Sequence, residues 1–285
     1  MEPGREGMFQ GRRLVIGTKH GKERVIGPMA DYALGVESFA ATDFDTDVFG
    51  TFTGEVERTD DPVSTLRRKC RAAMDLHGCD LGIASEGSFG PHPQIPFIPA
   101  DEEFLLFMDT RNGIEVLHRE TSTDTNFSGA EITTPKGLQA FAERALFPSH
   151  GLILRSERGG TTKITKGIHD PERLNAVFED ILSTHGSVYA ETDMRAMHNP
   201  TRMKVIEKAV SGLLEKILSK CPLCGQPGYT VSGTAAGLPC SLCRTPTRSI
   251  MTLTYTCPGC GHSQSKGRPD GKLEEDPSYC DHCNP

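Results

Sequence analysis

The 285-residue sequence lacks three features that would assign it to particular classes of protein. No apolar stretch approaches the roughly 20 residues of a membrane-spanning helix, so no membrane span is predicted. The opening residues, MEPGREG, lack the apolar segment of a signal peptide, which predicts a cytoplasmic protein. Acidic residues outnumber basic ones by 38 to 31, giving a net charge of −7. This balance argues against nucleic acid as a partner.

Cysteine is scarce in residues 1–220, which contain only Cys70 and Cys79. Neither has a recognisable histidine or asparagine partner, which argues against a thiol nucleophile. The remaining eight cysteines form four CxxC pairs near the end of the chain. These are Cys221 and Cys224, Cys240 and Cys243, Cys257 and Cys260, and Cys280 and Cys283. In a reducing compartment such pairs favour metal binding over disulfides.

Two CxxC pairs together supply the four thiolates of a tetrahedral zinc site. The tail therefore predicts two structural Zn²⁺ sites in a tandem zinc-ribbon domain over residues 217–285. Pairing consecutive CxxC motifs requires no crossing of the chain, whereas a cross-brace that joins the first motif to the third is the alternative. No histidine or carboxylate completes either set, which argues against a catalytic zinc.

Residues 11–216 alternate apolar strand-like runs with helical segments, which predicts a three-layer α/β domain with a mixed sheet. Four helices are expected to start at a proline that follows a capping residue. The capping residues are Asp61, Thr134, Asp170 and Asn199. Asn112-Gly113 predicts a hairpin with a type I′ turn, the one antiparallel pair expected in the sheet.

The stretch from Leu81 to Pro93 is the first candidate for a site. Its apolar start predicts a strand that ends at Ala84 in a polar, glycine-rich loop containing Ser85 and Glu86. Ligands of open α/β sheets bind beyond the carboxyl ends of strands, so this loop is expected to carry chemistry. The alternative is a tight turn with a solvated Glu86.

A second candidate follows the first strand, in the turn that leads to the first helix. Thr18, Lys19, His20 and Lys22 supply a hydroxyl and positive charge just before a helix N-terminus. Helix-terminal N–H groups and the helix dipole favour phosphate at such a position. A basic surface turn is the alternative.

Two acidic segments complete the candidate groups. Asp43, Asp45 and Asp47 alternate, so an extended backbone would place them on one face, where carboxylates suit Mg²⁺; a solvated loop is the alternative. Glu191 and Asp193 follow a predicted strand, with Arg195 available for a bidentate anion contact. The alternative for this segment is a buried ion-pair network of Arg195 and Arg202 with neighbouring carboxylates.

Two resemblances arise from these motifs. GTKHGKE, DTDVFGTFTGE, LGIASEGSFGPHP, ETDMRAMHNPTR and the CPLCG…CNP tail resemble an uncharacterised bacterial family of the domain-of-unknown-function type with C-terminal zinc ribbons. Residues 13–90 are similar in element order to the inosine/xanthosine triphosphate pyrophosphatase superfamily. That resemblance implies that Thr18 and His20 lie in a triphosphate-binding turn. It also implies a phosphate contact for Lys69 and a Mg²⁺-binding acidic loop at Ser85-Glu86-Gly87.

Together these patterns predict a Mg²⁺-dependent hydrolase of a phosphorylated small molecule, with a nucleotide among the candidates. The expected catalytic carboxylates are Glu86, Asp43, Asp45, Glu191 and Asp193. The expected substrate-binding residues are Thr18, Lys19, His20, Lys22, Lys69, Ser85 and Arg195. The alternative is a non-enzymatic protein in which the zinc ribbons bind a protein or nucleic-acid partner and the α/β domain senses a ligand.

Overall fold

The computed structural model describes residues 7–42 and 62–285. These residues divide into two compact units. The first comprises the described residues up to Thr110 together with Leu117–Leu214, and the second comprises Arg111–Val116 with Glu215–Pro285. The predicted acidic group Asp43, Asp45 and Asp47 lies outside the described residues.

A five-stranded mixed sheet contains the N-terminal strands. Its elements are β1 (Arg13–Gly17), α1 (Glu23–Leu34), β2 (Glu37–Ala40), α2 (Pro62–His77), β3 (Leu81–Pro91), β4 (Pro99–Asp109) and β5 (Ile114–Ser122). The strand order is β2-β1-β3-β4-β5. β1 pairs in parallel with β2 and β3, whereas β3 and β4 are antiparallel. The predicted turn joins β4 to β5, but only Gly113 within it has a positive φ, of 65°. A type I′ turn needs two such residues, so the predicted turn type is wrong.

One face of this sheet is covered by α2. Apolar side chains of β1, β3 and β4 pack against the helix in a core that includes Val15, Leu66, Ala84 and Leu106. Because strand side chains alternate, their neighbours Ser85 and Leu105 lie on the opposite face. This alternation places polar residues of β3 and β4 on both sides of the sheet.

The second half of the first unit forms a separate four-stranded sheet, a division that the sequence did not indicate. Its elements are β6 (Gly129–Ile132), α3 (Pro135–Arg144), β7 (Leu152–Arg155), β8 (Ile164–Ile168), α4 (Pro171–His185), β9 (Val188–Thr192) and the following α5 (Pro200–Leu218). The strands run in the order β6-β9-β7-β8, and each neighbouring pair is antiparallel. The expectation of a single antiparallel pair is therefore wrong.

The predicted proline starts are confirmed for α3, α4 and α5. Thr134 Oγ1 accepts from the N–H of Gly137 at 3.1 Å, and Asp170 Oδ1 accepts from that of Arg173 at 2.8 Å. Asn199 Oδ1 accepts from the N–H of Arg202 at 2.9 Å. Each cap satisfies a donor that has no partner within the helix, while proline at the next position lacks a donor.

The second unit contains three antiparallel strands, β10 (Thr230–Ala236), β11 (Ile250–Thr256) and β12 (Ser263–Gly267). Its buried centre includes Tyr229 beside Cys221 and Cys257. Helices, a mixed sheet and this cysteine-rich unit confirm the predicted α/β class. None of the helices that the structure describes has both the length and the apolar character of a membrane span.

Candidate functional site

Strand β3 continues seven residues beyond Ala84, where the sequence predicted that it ends. The stretch from Ser85 to Gly90 pairs with β4 in unbroken register, with Glu86 opposite Phe104 and Gly87 opposite Glu103. The prediction of a loop after Ala84 is wrong, because the ladder with β4 satisfies the backbone hydrogen bonds of this stretch. Ser85 and Glu86 are both buried.

Glu86 forms a buried ion pair with Lys69 of α2, the helix on its face of the sheet. The sequence assigned Glu86 to metal binding and Lys69 to phosphate binding, and the structure brings the two together. The charge of Lys69 neutralises the Glu86 carboxylate, and the side chains are only 8 % and 7 % exposed. A buried carboxylate is tolerated in the middle of a strand when a cation neutralises it, and Lys69 does so for Glu86.

The turn after β1 approaches β3, as expected for two neighbouring parallel strands. The hydroxyls of Thr18 and Ser85 lie 3.1 Å apart, and both residues are buried. His20 and Gly21 have positive φ values of 70° and 82°, so the turn bends sharply before α1. Lys19 and His20 are half-buried within it.

Lys22, the last residue of this turn, points into the sheet. Its Nζ donates to Oε2 of Glu103 at 3.2 Å, and Lys22 is 4 % exposed. Burial lowers the pKa of Lys22 to about 8, although the charge of Glu103 opposes this shift. Lys22 is therefore held by a carboxylate of the protein rather than presented to an external phosphate.

Glu103 also accepts a hydrogen bond of 2.6 Å from Nε of Arg202, at the start of α5. Burial by itself would raise the pKa of Glu103, but the charges of Arg202 and Lys22 outweigh it and the pKa is lowered. A Cβ at position 87 would lie 2.3 Å from Nη2 of Arg202, so any side chain there would displace the buried guanidinium. Sequence reasoning missed Glu103, although the alternation of Asp101 and Glu103 before Leu105 and Phe107 was a usable signal.

Asp101 shares the Glu103 face of β4. It is fully buried, and neither carboxyl oxygen has a hydrogen-bond partner among the described residues. Burial raises the pKa of Asp101 to about 7, and the charge of Glu103 adds to this, whereas Arg202 and Lys22 act in the opposite direction. Asp101 is therefore a second residue that sequence reasoning missed.

The predicted residues Glu191, Asp193 and Arg195 line a cleft that is formed mainly by the four-stranded sheet. The cleft has a volume of about 360 Å³ and is also lined by Arg155 and Arg158. This volume falls within the range of about 300–1,000 Å³ that is typical of small-molecule sites. The structure thus separates the predicted residues into two groups on two sheets.

Two of the cleft arginines hold carboxylates. Arg195 Nη2 donates to Oδ2 of Asp193 at 2.5 Å, and Arg155 forms an ion pair with Glu191. Burial tends to raise the pKa of Asp193, but the hydrogen bonds and charge of Arg195 outweigh it and the pKa is lowered. Together with Arg202 and Glu103, these pairs correspond to the buried network that was the alternative interpretation of residues 191–202.

The third arginine, Arg158, is exposed, and its side chain has no hydrogen-bond or ion-pair partner among the described residues. Arg155 is only 2 % exposed, and its Nε is unpartnered in the described part of the chain. Because two carboxylates face three arginines, the cleft has an excess of one positive charge. An anion is the ligand that such an excess favours.

The eight C-terminal cysteines form two tetrads in the cross-brace arrangement. One contains Cys221, Cys224, Cys257 and Cys260, and the other contains Cys240, Cys243, Cys280 and Cys283. The Sγ atoms of Cys224 and Cys257 lie 3.6 Å apart, and those of Cys240 and Cys283 lie 3.9 Å apart. Four thiolates around one Zn²⁺ at about 2.3 Å would be separated by about 3.8 Å, so both tetrads could bind zinc.

The structure thus defines an α/β protein that carries a cysteine-rich unit with two potential metal sites. Residues 69–285 match the family described as Domain of unknown function (DUF6671), and the chain belongs to this family. This confirms the predicted family resemblance. A comparison with curated proteins gives no match.

A similar solved structure is the crystal structure of protein VC0702 from Vibrio cholerae. It is 10 % identical with a TM-score of 0.35, and the alignment covers 73 % of this chain and 96 % of that one. The resemblance to the inosine/xanthosine triphosphate pyrophosphatase superfamily is not shown by these comparisons.

Proposed function

We propose that the first unit binds a phosphorylated small molecule in the arginine-lined cleft. The observation that carries this proposal is the excess of arginine over carboxylate, with Arg158 left without a partner in the described part of the chain. A guanidinium offers a planar fork of donors that matches the oxygens of a phosphate. Arg155 and Arg195 hold Glu191 and Asp193, which leaves Arg158 as the principal contact for the ligand.

Hydrolysis of this ligand is the further step that the sequence predicts. Three of the carboxylates that the sequence predicts to bind Mg²⁺ are described, and Glu86, Glu191 and Asp193 each form an ion pair with a cation. A carboxylate that is already neutralised in this way is a poor ligand for Mg²⁺, so the geometry supports binding more directly than it supports metal-dependent hydrolysis. Incubation of the protein and its bound ligand with Mg²⁺ or Mn²⁺ would show whether the protein releases phosphate from the ligand.

We also propose that both tetrads bind Zn²⁺ as structural ions. The sulfur separations fit tetrahedral thiolate coordination, and a complete set of four protein ligands leaves no open position for a substrate. Such ions stabilise small domains directly, because binding and folding are coupled. Docking of a protein partner on this unit stays a prediction from the sequence.

The anion-binding proposal is tested by calorimetric titration with ribose 5-phosphate at low and high salt. Arg158→Gln is expected to weaken binding by about 10- to 150-fold, since a charge-assisted hydrogen bond contributes roughly 1.5–3 kcal/mol. Arg144→Gln is the matched control, because Arg144 is exposed at the end of α3 and does not line the cleft. Equal affinities for both variants, or no binding by the wild type, would contradict the proposal.

A further inference from the structure

We infer that the ligand of the cleft is a nucleotide whose base stacks on Phe127, an inference that rests on the proposed anion site. The same cleft that contains the arginines is lined by Phe89 and Phe127. A phosphate-binding region and an aromatic surface in one small cleft match the two chemical parts of a nucleotide. Stacking on an aromatic side chain accommodates any base, because every base presents a π-face.

The two rings differ in their availability. The guanidinium carbon of Arg202 lies 4.8 Å from the ring centroid of Phe89, so this cation occupies one side of the Phe89 ring. The ring centroids of Phe89 and Phe127 are 5.7 Å apart, with an angle of 32° between their planes. Phe127 is 39 % exposed and is therefore the ring that is available to a ligand.

The segment that carries Phe127 is fixed by hydrogen bonds on both sides. Asn126 Nδ2 donates to the carbonyl of Ala145 at 2.9 Å, and the N–H of Ser128 donates to Thr192 Oγ1 at 3.1 Å. Asn199 Nδ2 also donates to Asn126 Oδ1 at 2.8 Å. An exposed aromatic ring on an anchored segment loses little freedom when it binds a planar group, which makes it a suitable stacking surface.

The arginines lie on the other segments that form the cleft. Arg155 ends β7, and Arg158 follows in the adjoining turn beside Gly159, whose φ of 73° shapes that turn. Arg155 Nη1 donates to the carbonyl of Gly160 at 3.0 Å, which ties the turn to the strand. The phosphate is therefore expected at Arg158, with the base at Phe127.

The test compares adenosine 5′-monophosphate, guanosine 5′-monophosphate and ribose 5-phosphate by calorimetry with the full-length, zinc-loaded protein. A stacked base is expected to strengthen binding by about 5- to 150-fold over ribose 5-phosphate. Phe127→Leu should remove this advantage, measured as the ratio of the nucleotide affinity to the ribose 5-phosphate affinity of the same variant. Phe97→Leu is the control, because Phe97 is 86 % exposed and does not line the cleft.

Three outcomes would overturn the inference. If the wild type binds ribose 5-phosphate as tightly as both nucleotides, the base makes no contribution, although the anion site itself stands. If Phe127→Leu weakens both classes of ligand equally, Phe127 does not act through the base. If neither ribose 5-phosphate nor a nucleotide binds, the anion site and the inference fail together. The comparison of nucleotide with ribose 5-phosphate binding by the wild type tests the contribution of the base even if a variant does not fold.

Discussion

Arg202 at the start of α5 donates a hydrogen bond of 2.6 Å to Glu103 in the middle of β4, and the two side chains are 1 % and 0 % exposed. Residues 99 positions apart in the sequence thus form one buried ion pair. Lys22 contacts the other oxygen of Glu103, so a single carboxylate joins the turn before α1 to the start of α5. This contact organises the polar face of the five-stranded sheet.

Removing Arg202 is expected to destabilise the protein strongly. Arg202→Gln leaves the buried Glu103 with one cation instead of two, and breaking such a pair costs about 3–5 kcal/mol of unfolding free energy. Urea unfolding followed by circular dichroism measures this loss. Arg119→Gln is the control, since Arg119 of β5 is 47 % exposed and pairs with Glu102, the neighbour of Glu103 on β4. A loss of about 0–1 kcal/mol is expected there, and equal losses would contradict a special role for Arg202.

Gly87 is predicted to be intolerant of even a methyl group. A Cβ at this position would lie 2.3 Å from Nη2 of Arg202 and 2.8 Å from Oε1 of Glu103. Gly87→Ala should therefore lower the unfolding free energy by about 1–3 kcal/mol. Gly90 lies on the same strand, and its Cβ would meet nothing within 4 Å. Gly90→Ala is accordingly expected to leave stability nearly unchanged, and a similar loss in both variants would refute the steric explanation.

The buried carboxyl of Asp101 predicts a dependence of stability on pH. Its pKa is raised from 3.8 to about 7, so the folded protein retains a proton that the unfolded chain has released. This contribution to stability is fully present below about pH 4 and is lost as the pH rises through 7. Asp101→Asn has no carboxyl group to ionise, so its unfolding free energy should not fall in this way. At pH 8 it should exceed that of the wild type by on the order of 1–3 kcal/mol.

Measurement of the unfolding free energy from pH 4 to pH 8 checks this expectation. The exposed residue Asp124 provides the control variant, Asp124→Asn. If the profiles of the wild type and Asp101→Asn run parallel, Asp101 does not retain its proton in the folded protein.

Paired substitutions distinguish the cross-brace from sequential zinc pairing. Cys224 and Cys260 belong to one tetrad, whereas Cys224 and Cys243 belong to different tetrads. The double variant Cys224→Ser with Cys260→Ser should therefore lose one of two zinc ions, and Cys224→Ser with Cys243→Ser should lose both. Mass spectrometry of the native protein counts the ions. The reverse pattern would show sequential ribbons, and a wild type without zinc would refute the metal assignment.

Local sequence signals predicted much of the secondary structure. The starts at Pro135, Pro171 and Pro200 follow from a capping side chain and the fixed φ of proline, which act within one helical turn. The extension of β3 beyond Ala84 was not predictable in this way. A polar residue such as Glu86 indicates a loop when only its sequence neighbours are considered. It lies in a strand because Lys69 of α2, 17 residues earlier, neutralises its charge.

The sequence by itself determined the α/β class, the family and the eight cysteines that could bind metal, because these depend on periodicity and on short spacings. Tertiary structure alone decided which CxxC pairs share a site and which carboxylates are already paired with cations. It also separated Lys22, which is buried beside Glu103, from Glu191, Asp193 and Arg195, which line the open cleft with Arg158. The physical reason is that charge pairing acts through space: Glu103 meets Arg202 only because β4 and α5 pack together.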